Sequence, residues 1–147
     1  TLCRYRANWN LDLQFRPFFI SGVMNLSGNR PPGVVPAKMV YMTKDIARLS
    51  EFYGIPINLP SVRSLPAMRL LTATTLSHPD KTEHLSRELW MRIWSRDEDI
   101  VLPESLKMAC FATGLNETQT AALVSRIADK DVKDSLKDNT NKALEAG

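Results

Sequence analysis

The sequence predicts a mainly α protein, and three observations carry that reading. Apolar residues recur at helical spacing through most of the chain after Val35. Period-two alternation occurs in a single short run. Each periodic segment is bounded by proline, glycine or a polar residue suited to a helix end. With 147 residues the chain can bury a core of its own as one folded unit. Its hydrophobic fraction of 44% and charged fraction of 24% argue against disorder. No apolar run approaches the roughly 20 residues that a membrane span needs.

Taken in order, Leu2 to Asn8 reads as the tail of a helix, closed by the polar Asn8 and Asn10. Leu11-Asp12-Leu13-Gln14-Phe15-Arg16 alternates apolar and polar residues and predicts the one strand, which Pro17 stops. Phe18 to Val35 reads as irregular. A helix is expected from Pro36 to Tyr53, with Met42, Ile46, Leu49 and Tyr53 at helical spacing and Gly54 ending it. Ile55 to Pro60 is an extended linker held out of helical geometry by two prolines. Ser64 is placed to cap a helix through Met68, Leu71 and Leu76 that ends before Pro79. The next helix spans about Asp80 to Trp94. Leu85, Leu89 and Ile93 form one seam and Trp90 and Trp94 another, both expected to pack in the core. Further helices open at Pro103, at Asn116 with Gln119 as a capping box, and at Asp129.

The segment richest in chemistry runs from Ser27 to Lys38, Ser-Gly-Asn-Arg-Pro-Pro-Gly-Val-Val-Pro-Ala-Lys. It is a stiff loop that delivers a lysine to the first turn of a helix. Free N–H groups and the positive dipole end favour anions there and disfavour cations. Lys38, with Arg30 upstream, makes sense if a small anion lies between them, assisted by the Asn29 amide. The alternative is that Lys38 simply extends into water.

Other chemistry is sparse. A net charge of +3 and a pI near 9.0 are mildly basic, but the cations are interspersed with acids, which does not suggest a nucleic-acid surface. Cys3 and Cys110 form no C-x-x-C, so dithiol redox chemistry is not indicated, and two lone thiols fit a reducing compartment. His78 and His84 stand at no metal-ligand spacing with Cys, Asp or Glu, so no metal site is expected. Asp97, Glu98 and Asp99 read as a solvated loop.

Several blocks in fixed order resemble the kappa-class glutathione transferases. They are Leu2-Cys3-Arg4-Tyr5 with Trp9-Asn10, the Ser27 to Gly33 loop, Ala67 to Ala73, and Glu88 to Arg96 with Glu98-Asp99-Ile100. The resemblance covers essentially the whole chain. It implies a thioredoxin-like α/β fold carrying a large helical insertion, with residues 1–35 a partial thioredoxin-like domain and residues 36–147 the insertion. It also implies glutathione as substrate, no further cofactor, a hydrophobic electrophile as second substrate, and a homodimer in mitochondria or peroxisomes. Asn29 and Pro36 match positions at the family's glutathione site, and Lys38 matches a lysine suited to a glutathione carboxylate. The family's serine, which holds the glutathione sulfur as a thiolate, would precede Thr1, so no catalytic residue is expected within these residues and the chain alone is expected to be inactive. The region between Ile57 and Leu65 is shorter than the family pattern. Two alternatives stand beside transfer to electrophiles or peroxide reduction. One is a glutathione-dependent hydroxychromene-carboxylate isomerase, and the other a non-catalytic helical dimerisation or binding module.

Overall fold

The computed structural model describes residues 2–59 and 63–146. It contains seven α-helices among those residues: α1 Ile20–Ser27, α2 Pro36–Tyr53, α3 Leu65–Ser77, α4 Thr82–Trp90, α5 Pro103–Ala112, α6 Glu117–Arg126 and α7 Lys130–Glu145. Short 3-10 turns lie at Leu2–Tyr5, Pro32–Val34 and Pro79–Lys81, and a π-helical turn at Met91–Ser95 continues α4. No helix among the described residues is long and apolar enough to cross a membrane.

Helix α3 is the centre of the packing, lying against α4, α6 and α7. Its sequence explains the position. Ala67, Leu70, Leu71 and Ala73 are buried, and Thr72 and Thr74 are buried without cost because each hydroxyl donates to a carbonyl one turn back, Met68 O at 2.8 Å and Leu70 O at 2.9 Å. Leu85 and Leu89 from α4, Leu106, Ala109 and Cys110 from α5, Leu123 from α6 and Val132 from α7 complete one core. Fully burying each leucine contributes about 1.5–3 kcal/mol.

The predicted helices hold closely. Pro36 does open α2, and Gly54 ends it at φ 63°, a left-handed conformation that costs glycine little. The capping box forms in full: the Gln119 N–H donates to Asn116 Oδ1 at 2.9 Å and the Asn116 N–H to Gln119 Oε1 at 3.0 Å. Ser64 and Asp129 occupy the N-cap positions of α3 and α7, but neither side chain makes the capping hydrogen bond.

Four expectations need correction. Leu11 to Arg16 is extended, with Leu11, Leu13 and Phe15 half-buried and Asp12, Gln14 and Arg16 exposed, but it is not a strand. The alternation survives because it reports one-sided burial. A strand also requires a paired neighbour, and no described segment supplies one. The polar face is stitched instead by side chains, with Gln14 Nε2 donating to Asp12 and Arg16 to Gln14. Leu2 to Asn8 forms only a 3-10 turn to Tyr5, whose ring stacks on Trp9 at 4.8 Å between centroids. The supposedly irregular stretch contains α1, closed by Gly28 at φ 71°. Trp90 and Trp94 are 48% and 44% exposed, so they are not core residues; the Leu85, Leu89, Ile93 seam takes the core side of the helix. Pro60 of the predicted linker, and part of the shortened region before Leu65, lie outside the described residues.

The acidic trio is structural. Asp99 Oδ1 accepts the Val101 and Leu102 N–H groups at 3.0 and 2.7 Å, and Glu98 pairs with Arg92 at 3.2 Å and Arg96 at 3.3 Å. Glu88 joins the same guanidinium pair from α4. The chain thereby turns sharply out of the π-helical turn, with Asp97 at φ 52°, and enters α5 in a defined direction.

Candidate functional site

The Ser27 to Lys38 segment links the end of α1 to the start of α2. Gly28 turns the chain out of α1 in the left-handed conformation. Asn29 follows, and its side-chain oxygen accepts the Arg30 N–H at 2.8 Å. That bond fixes the amide plane and leaves its NH2 group, a double donor, free toward solvent among the described residues. Pro31, at φ −57° and ψ 140°, starts the 3-10 turn in which Val34 and Val35 donate to Pro31 O and Pro32 O, both at 3.1 Å. A β-carbon on Gly33 would stand 3.2 Å from Met39 Sδ, so the loop lies down on the first turn of its own helix.

Pro36 occupies the first position of α2, and Lys38 the third. The N-cap is Val35, which offers no side-chain cap, and the first turn holds no acidic residue. The N-terminal N–H groups of an 18-residue helix are therefore available to an external acceptor, with Lys38 beside them. Neither Lys38 nor Arg30 makes an ion pair among the described residues. Asn29, Pro36 and Lys38 are all exposed, so the junction is an open, shallow cradle rather than an enclosed pocket. It offers amide donors, helix N–H groups and one cation on a rigid backbone. Such a set recognises a carboxylate or similar anion and has no nucleophile or proton-transfer pair of its own.

A second charged constellation joins the N-terminal residues to α4. Glu83 accepts from Arg87 at 2.9 Å and Arg6 at 2.6 Å, lining a cleft of about 500 Å³ with Leu13, Phe15 and His84. The Arg87 guanidinium above all, against the opposing effect of burial and with help from Arg6 and Cys3, lowers its pKa to about 2. A carboxylate held so firmly in its charged form is an anchor for the N-terminal turn, not a general base. The two thiols also differ. Burial alone pushes Cys110 up to about 11, which makes it inert, whereas Cys3 is half-buried. Among the described residues no group of three or more Cys, His, Asp or Glu side chains could hold a metal ion.

Comparison with known proteins gives this geometry its family. Residues 1–147 match the family described as DSBA-like thioredoxin domain, which defines the class. Human glutathione S-transferase kappa 1 is 46% identical over 154 aligned residues, covering 99% of this chain and 68% of the human protein. Glutathione S-transferase kappa 1 of Rattus norvegicus is 38% identical with the same coverage, and that of Caenorhabditis elegans 30% identical over 97% of this chain and 66% of its own length. The chain belongs to the kappa glutathione S-transferase family, within the DSBA-like thioredoxin class.

Proposed function

We propose that the protein, a kappa-family glutathione transferase, holds glutathione at the Ser27 to Lys38 junction. Asn29 would donate its amide hydrogens to a carboxylate or peptide carbonyl of the tripeptide. The α2 N-terminus and Lys38 would face a second carboxylate, and Pro36 would fix the direction in which that helix points. Glutathione carries two carboxylates and a net negative charge at neutral pH, which is the chemistry this junction leaves uncompensated. The single observation behind the reading is an uncapped, acid-free helix N-terminus with an unpaired lysine in its first turn, in a chain of this family.

The bound thiol, as thiolate, is the nucleophile toward an electrophilic carbon, with loss of a leaving group, or toward a peroxide oxygen, where the O–O bond breaks, an alcohol or water leaves, and the sulfur is oxidised to a sulfenic acid. The junction positions glutathione for that step and does not itself carry the proton. The same reading treats residues 1–35 as part of a thioredoxin-like unit and residues 36–147 as its helical insertion. It also proposes a homodimer, housed in mitochondria or peroxisomes and acting in detoxification. Support for a partner surface comes from α2, which buries no residue and exposes Met39, Val40, Tyr41, Phe52 and Tyr53. The test of the binding reading is calorimetric titration of glutathione into the full protein and its Lys38→Met variant. A several-fold weaker, less salt-dependent association is expected for the variant. Unchanged affinity and unchanged salt dependence would remove Lys38 from the site.

A further inference from the structure

We propose a second ligand site, distinct from the glutathione junction, that takes a small amphipathic carboxylate. It is the cleft of about 260 Å³ between α1, α3 and α7. Its walls include Phe19, Leu26 and Leu136, and its lining carries three cations, Arg69, Lys133 and Lys137, with no Asp or Glu among the described residues.

The charge imbalance is built into the helices. On α7 every aspartate is already engaged by another cation: Asp131 by Arg126, Asp134 by Lys130 and Asp138 by Lys142. Lys133 and Lys137, one turn apart on the cleft side, have no carboxylate left to them among the described residues. Helix α3 contains no acid at all, and the Nε–H of Arg69 is buried without a hydrogen-bond partner among the described residues. A buried guanidinium N–H without an acceptor carries an uncompensated desolvation, which an anion drawn to the Arg69 guanidinium in the cleft would offset. The cleft is also a rigid feature. Phe19 N donates to Thr140 Oγ1 at 3.0 Å, Asn139 Nδ2 donates to Pro17 O at 3.1 Å, and a β-carbon on Gly22 would touch Thr140 at 3.0 Å. Helices α1 and α7 are thus seated close together at its floor.

Apolar walls with cations and no acids fit a ligand that is part hydrocarbon and part carboxylate. At about 30 Å³ for each water-sized group, the space takes roughly nine heavy atoms, the number in 1-octanol and one fewer than in octanoate. Octanoate is the appropriate probe, with 1-octanol as its uncharged counterpart. Both are titrated calorimetrically into the full protein, with and without glutathione. Octanoate is expected to bind at least about tenfold more tightly than octanol, and to do so equally with glutathione present. Arg69→Gln and the exposed Lys137→Gln are each expected to weaken octanoate by roughly three- to tenfold without changing octanol. If Arg69→Gln does not fold, Lys137→Gln decides alone. No octanoate binding, equal binding of octanoate and octanol, insensitivity to these substitutions, or displacement by glutathione would each overturn the proposal. Glutathione binding is read in its own titration, so failure of one site does not obscure the other.

Discussion

Replacing Asn29 isolates what the junction contributes to ligand recognition. Its Oδ1 is already satisfied by the Arg30 N–H at 2.8 Å, so the group offered to a ligand is the amide NH2. Asn29→Ala removes that donor and the internal bond together. A hydrogen bond to a charged acceptor is worth about 1.5–3 kcal/mol when sheltered, and the exposure of Asn29 brings the expected loss to about 1–2 kcal/mol. That is a rise of roughly 5- to 30-fold in the glutathione Kd. Asn29→Asp separates the two effects. It keeps an oxygen to accept the Arg30 N–H, so the loop holds, but it presents an anion where a carboxylate must approach. It should therefore bind more weakly than the alanine variant, and added salt should narrow the gap. Calorimetric titration of the full protein measures all three constants. Aspartate binding as tightly as asparagine would refute the reasoning, because no anion could then be facing that side chain.

Other predictions concern the frame. Leu106 is fully buried beside Cys110, so Leu106→Ala should cost about 2–5 kcal/mol in urea unfolding; a loss under 1 kcal/mol would mean that α5 is not packed in the core. Glu83 has its pKa lowered from the ordinary 4.5 to about 2, so its pairing with Arg87 and Arg6 stabilises the fold above about pH 4.5 and is lost as pH falls toward 2. Both arginines are about half exposed, which reduces the full linkage value to about 1 kcal/mol. Glu83→Gln should flatten the acid limb of a stability-versus-pH curve by that amount, and an unchanged limb would exclude the pairing. In native protein a disulfide reagent should modify Cys3 first and Cys110 only on unfolding; equal rates would show that α5 opens readily.

The helical frame was legible because its signals are local. Pro36 with Gly54, and Asn116 with Gln119, each mark a helix end within a few residues, and the Leu85, Leu89, Ile93 seam reports one buried face. The failures have non-local causes. Leu11 to Arg16 shows its burial pattern in sequence, but nothing in six residues says whether a neighbouring strand pairs with it. Helix α1 has a glycine in its first turn and a phenylalanine at its N-cap, so local propensity hid a helix that packing against α7 supports. Ile20 and Met24 one turn apart, with Gly28 after them, were the available signal. The anion cradle was visible as an oddity, Lys38 in a helix's first turn. The octanoate-sized cleft was not, because Arg69 and Lys137 meet only through the packing of α3 on α7.

The most direct test of the central claim is a map of backbone amide shifts on adding glutathione to isotopically labelled full protein. The largest changes are expected on Asn29, Arg30, Ala37 and Lys38, at the turn after α1 and the first turn of α2. Glutathione binding that leaves those amides unmoved and shifts residues elsewhere would contradict it.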